Sequence, residues 1–137
     1  MNISKFTQKS VQAVQDLEKV AYQFGNQEIE EEHLLYALLE QEDSLILKLI
    51  EKMEIQKEYF IDTVKKALDA KVKVSGGELR FGQYLNKALV SAEDEAKAMG
   101  DEYVSVEHLF LALLRYPSPS MKKLFQEFGI TKERFLQ

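Results

Sequence analysis

Residues 6–60 of this chain align with residues 81–135 at a constant offset of 75, without a gap. Eighteen of the 55 aligned positions are identical, and many others exchange one apolar residue for another. The densest match is EHLLYALL from Glu32 against EHLFLALL from Glu107. A match of this length means that one supersecondary unit is used twice. The fold must therefore be assembled from two copies of the same object.

Each copy reads as helical. Val11, Val14, Leu17, Val20, Ala21 and Phe24 recur at three- and four-residue spacing, which puts them on one helix face. Leu85, Leu89, Ala92, Ala96 and Met99 repeat the stripe, and Gly25 and Gly100 follow as helix stops. Short helices are expected over roughly 31–40 and 106–115, with Ser105 as an N-cap and Tyr116-Pro117 as the end of the second. Third helices are expected at about 45–53 and 119–128, the latter closed by Gly129. Fourth helices start near 56 and 131; the first runs to about Ala70, and the second is cut at Gln137. The expectation is an all-α domain of two tandem four-helix repeats, about eight helices, related by a pseudo-two-fold axis. Repeat one is 1–70, the linker 71–80 and repeat two 81–137, with Gly76-Gly77 as the flexible point. The two Glu-His-Leu helices are expected near the axis, burying Leu34, Ala37, Leu38, Leu109, Ala112 and Leu113.

Charge and residue chemistry narrow the function. The net charge is −5, and residues 1–60 carry 12 acids against 6 lysines. That segment repels phosphate backbones, so nucleic acid is excluded as a partner. The absence of cysteine removes thiol and disulfide chemistry and fits a reducing compartment. The N-terminus has no apolar run and no stretch approaches a membrane span, which points to a cytoplasmic protein. Gly77 and Gly82 have phosphate-loop spacing, but Gln83-Tyr84 follows where lysine and a hydroxyl are required. HExxH and nucleophile elbows are absent. Glu32, His33, Glu107 and His108 would form a metal site only if both histidines faced each other across the axis; the preferred reading is a structural histidine in each first turn, with no metal and no catalytic residue. Thr7 reads as an N-cap, with Phe6 and Val11 as a hydrophobic staple. A helix N-terminus attracts anions and a nearby Glu32 attracts cations, a combination that suits a dipolar or guanidinium-bearing group.

The frame F-T-x-K-S…G-N-x-x-I-x-x-E-H-L-L-x-A-L-L, followed by G-D-x-Y-V-S-x-E-H-L-x-L-A-L, resembles the N-terminal domain of the Clp/Hsp100 ATP-driven unfoldases, most closely the ClpB disaggregase branch. The resemblance covers the whole chain. It implies a binding domain, not an enzyme, flexibly joined to hexameric ATPase rings that lie outside this chain and carry the ATP and magnesium. It implies a stress-response role in which unfolded or aggregated polypeptide is caught weakly and passed to the rings, with Hsp70-system or adaptor partners reached through the longer protein. The isolated domain is expected to be a monomer. Carried over by position, the substrate-binding residues are Thr7, Leu89, Asp101 and Glu107; the groove positions beside Leu89 become Ser91 and His108 here. The alternative is the ClpC branch, which docks adaptors and phosphoarginine through threonine–glutamate pairs. Those correspond to Thr7 with Glu32, and to Glu107 with position 82, which is Gly82 here.

Overall fold

A computed structural model of the chain describes residues 3–137. Repeat one contains α1 (Gln8–Gln15), α2 (Leu17–Phe24), α3 (Glu31–Leu39), α4 (Leu45–Lys52) and α5 (Lys57–Asp69). Repeat two contains α6 (Gln83–Ala98), α7 (Val106–Arg115), α8 (Pro119–Phe128) and α9 (Lys132–Leu136). The fold is all-α apart from two two-residue strands, β1 (Glu28–Ile29) and β2 (Arg80–Phe81). The first of the eight expected helices is broken at Asp16 into α1 and α2, so nine helical segments stand among the described residues. Asp16 keeps near-helical angles, φ −77° and ψ −8°, and the break is slight. Its counterpart at the 75-residue offset is Ser91, whose hydroxyl donates back to the Lys87 carbonyl at 2.8 Å while α6 stays continuous.

The helix ends follow the local chemistry. Thr7 Oγ1 accepts from Ser10 N at 3.2 Å and Thr131 Oγ1 from Arg134 N at 3.2 Å, each satisfying a first-turn donor. Pro119 sits in the first turn of α8, where its missing N–H costs nothing. Gly25 ends α2 at φ 67°, in the left-handed region. A Cβ at Gly25 would meet Lys73 Cδ at 3.7 Å, ordinary contact, so only the backbone opposes a side chain there. Gly25→Ala is expected to cost about 1–2 kcal/mol, read as a lower midpoint in chemical denaturation.

The core forms around α3 and α7. Leu34, Leu38, Leu109 and Leu113 are fully buried, each worth about 1.5–3 kcal/mol relative to exposure. The repeats are stitched by an exchange. β1 pairs in parallel with β2, placing Ile29 opposite Phe81, and Phe6 pairs in parallel with Val104. Adding 75 to Phe6 and subtracting 75 from Val104 converts the second pair into the first. Thr7 N donates to Val104 O at 3.0 Å, and Gly82 N donates to Ile29 O at 2.8 Å, the same bond in both copies. Each repeat thus lends the segment before its first helix to the entry of the other repeat's Glu-His-Leu helix, consistent with the expected two-fold relation.

The linker is fastened to repeat one. Val74 N donates to Gly25 O at 2.9 Å, and Asn26 Nδ2 donates to Val72 O at 3.0 Å. Lys71 Nζ lies 3.1 Å from Glu30 Oε2 and 3.3 Å from Glu32 Oε1.

Candidate functional site

The two histidines brace the entries to α3 and α7. His33 Nδ1 accepts from Glu30 N at 2.8 Å, so the proton sits on Nε2, which donates to Asn26 Oδ1 at 2.9 Å. His108 repeats this, with Nδ1 accepting from Ser105 N at 2.9 Å and Nε2 donating to Asp101 Oδ2 at 2.8 Å. In both copies the ring joins a helix cap to the residue seven positions earlier. Burial, then the nearby Lys71 charge, pulls the His33 pKa from 6.5 down to about 4, so the ring is neutral at physiological pH. With both nitrogens of each ring engaged, neither histidine is turned toward a shared centre. Among the described residues no group of three or more His, Cys, Asp or Glu is arranged to hold a metal ion.

The acids that open α3 bind repeat two. Glu31 Oε1 accepts from Ser118 N at 2.7 Å, and Glu32 Oε2 accepts from Ser120 Oγ at 2.6 Å. Glu31 and Glu32 therefore hold the start of α8. Both are almost fully buried, and Glu31 Oε2 has no hydrogen-bond partner. Burial, offset in part by the Ser118 bond and reinforced by Glu32, raises the Glu31 pKa from 4.5 to about 7. The counterparts in repeat two are Val106 and Glu107, and those of Ser118 and Ser120 are Asp43 and Leu45. The clasp therefore exists on one side only.

The sequence-derived site residues separate into two groups. Thr7, Asp101 and Glu107 gather around the Phe6–Val104 bridge. Thr7 bonds Val104, Asp101 is held by His108, and Glu107 Oε1 accepts from Ser105 Oγ at 3.0 Å. Asp101 is exposed and Glu107 half-buried. An open pocket of about 310 Å³ beside the bridge is lined by Asp101, Val104, Lys5, Lys97, Glu93 and Glu102, so charges of both signs meet there. A related pocket beside β1 and β2 contains Asn26, Gln27 and Arg80, but the linker residues Lys71, Val72 and Val74 wall it. The exchange brings Thr7 to the segment that leads into Glu107, and Gly82 to the segment that leads into Glu32. Glu32 is buried against Lys71 and Ser120. Leu89 is 1% exposed and belongs to the core, and Ser91 on α6 and His108 on α7 are buried as well.

A larger opening was not marked by the sequence reading. A groove of about 470 Å³ lies on repeat two, floored by Leu111, Leu114, Phe125 and Ile130 and rimmed by Arg115 and Lys122. Its signal is divergence between the copies. In repeat one Tyr36 packs edge-on against Phe24 with ring centroids 5.3 Å apart. At the offset of 75 these become Leu111, which lines the groove, and Met99.

The model of the Clp repeat N-terminal domain matches residues 5–128. The chain belongs to the Clp repeat N-terminal domain family. It is 39% identical over 142 residues to the chaperone protein ClpB of Nitratidesulfovibrio vulgaris, and 38% identical over 141 residues to that of Clostridium tetani. Each match takes in 99% of this chain and 16% of the relative, so the chain spans about a sixth of their length. The N-terminal domain of Hsp104 from Candida albicans superposes with a TM-score of 0.82 at 23% identity, over 96% of this chain and 87% of that one. A ClpV N-domain in complex with a VipB peptide gives 0.71 at 22% identity, over 96% and 82%. This is an N-terminal domain of the ClpB/Hsp100 chaperone type.

Proposed function

We propose that this Clp N-domain engages unfolded or aggregated polypeptide, weakly and reversibly, on behalf of the ATP-driven rings of a longer cytoplasmic ClpB-like protein. ATP and magnesium chemistry belongs to those rings, and the domain itself only binds. Kinship with ClpB chaperones supports the reading. The observation that carries it is the exchanged Phe6–Val104 edge, which ties Thr7 to the segment running from Asp101 to Glu107, with Asp101 lining an open pocket of mixed charge beside it. Asp101 and Glu107 accept backbone N–H groups there, and Thr7 fixes the edge that carries them. A polypeptide pays conformational entropy on being ordered, which keeps its affinity low enough for release to the rings. An adaptor- or phosphoarginine-docking role using Thr7 and Glu32 has less support, because Glu32 is buried and already paired.

The test is a fluorescence-anisotropy titration with a labelled, permanently unfolded polypeptide. Asp101→Asn with Glu107→Gln keeps an acceptor for His108 while removing both charges. Affinity is expected to fall by about tenfold or more, since hydrogen bonds to charged groups are worth about 1.5–3 kcal/mol each. Unchanged affinity with an intact fold contradicts the assignment.

A further inference from the structure

We propose that the groove on repeat two is a docking site for polypeptide segments in which apolar side chains are flanked by carboxylates. The proposal rests on the reading that the domain engages polypeptide, and names a substrate class for a second surface.

The opening is about 470 Å³, within the size range of ordinary ligand pockets, and lies above the apolar floor of Leu111, Leu114, Phe125 and Ile130. The charge around it is reversed between the copies. The groove lining contains three bases, Arg115, Lys122 and Lys132, and one acid, Glu95. The same positions in repeat one hold four acids, Glu40, Glu42, Glu51 and Glu54, and one base, Lys57. Glu95 is 3% exposed and is taken up by Arg115, whose Nε donates to its Oε1 at 2.6 Å. Lys122 and Lys132 are exposed and have no ion-pair partner among the described residues. In a chain of net charge −5, an apolar floor with unpaired lysines on its rim is a local exception. Such a rim draws carboxylates in and repels basic segments, while the floor takes the apolar side chains between them.

The test is calorimetric titration of this chain with two synthetic peptides. Both have a Leu-Leu-Phe centre; one is flanked by aspartates and the other by lysines. The acidic peptide is expected to bind about tenfold more tightly at low salt, and the margin to shrink as salt rises. Lys122→Glu with Lys132→Glu alters only exposed side chains, and is expected to abolish or reverse the preference while leaving capture of the unfolded polypeptide largely intact. Equal binding of the two peptides, or an unchanged preference in the double variant, overturns the proposal. So does self-association that the double variant abolishes, which makes the occupant a second copy. Loss of acidic-peptide binding in a longer chain that continues past Gln137 overturns it too. If Asp101→Asn with Glu107→Gln removes binding of both the unfolded polypeptide and the acidic peptide, the groove proposal falls and the proposed function stands. If those substitutions leave the unfolded polypeptide bound while the lysine variant loses the acidic peptide, the site at the exchanged edge falls and the groove stands.

Discussion

Glu31→Gln is expected to stabilise the fold by about 3 kcal/mol near pH 8 and to change little near pH 4. Glu31 is 1% exposed, and only Oε1 is satisfied, by Ser118 N. Burial lifts its pKa from 4.5 to about 7 in the folded chain. A carboxyl with a raised folded pKa favours the fold most below 4.5, and that contribution is lost as the pH rises through 7. Glutamine keeps the oxygen acceptor for Ser118 and carries no charge to desolvate beside Glu32. His33 acts in the opposite sense. Its folded pKa lies near 4 against 6.5, so its contribution is complete above 6.5 and is lost as the pH falls through 4. Between about pH 4.5 and 6.5 the two slopes oppose each other. The wild-type chain should therefore show nearly flat stability across that window, and Glu31→Gln should show a steep acid loss. Urea denaturation at stepped pH measures both curves. Parallel curves would mean that folding leaves the Glu31 pKa unshifted.

His33→Ala is expected to cost about 3–5 kcal/mol at neutral pH, and His108→Ala roughly 2 kcal/mol. The copies make the same two bonds, but their surroundings differ. His33 is fully buried and its partner Asn26 is 4% exposed, so removing the ring leaves a cavity and unpaired groups that water does not reach. The Asp101 side chain is 48% exposed, and water replaces the lost imidazole there. His33→Ala should also leave the Glu31 slope unopposed, so that stability falls as the pH rises from 4.5 to 7 instead of staying flat. Equal costs for the two substitutions would show that the rings pack rather than brace.

Much of the fold was legible because the chain repeats. The 75-residue offset carried the four-helix unit and the Thr7, Ser105 and Thr131 caps rest on local chemistry that sequence displays directly. The pairs Asn26/Asp101 and His33/His108 already held the brace, although the bond itself is tertiary. The exchange of Phe6 and Phe81 between copies was not legible. Its pairings span at most two residues, too short for any periodicity, and depend on how the repeats pack. The Glu31–Ser118 clasp was hidden for the same reason, since its partners lie 87 residues apart. Leu89 falls on the apolar stripe of α6, and the core claims it. The groove on repeat two was not legible in what the copies share, because Leu111 and Lys122 line it at positions where the copies differ.

Polypeptide binding at the exchanged edge can be read residue by residue in an amide-resolved NMR titration of this chain with an unfolded model polypeptide. Shifts are expected to cluster at Thr7, Asp101, Val104 and Glu107 and to saturate at weak affinity. No shifts at those residues, with the spectrum of a folded chain, would contradict it.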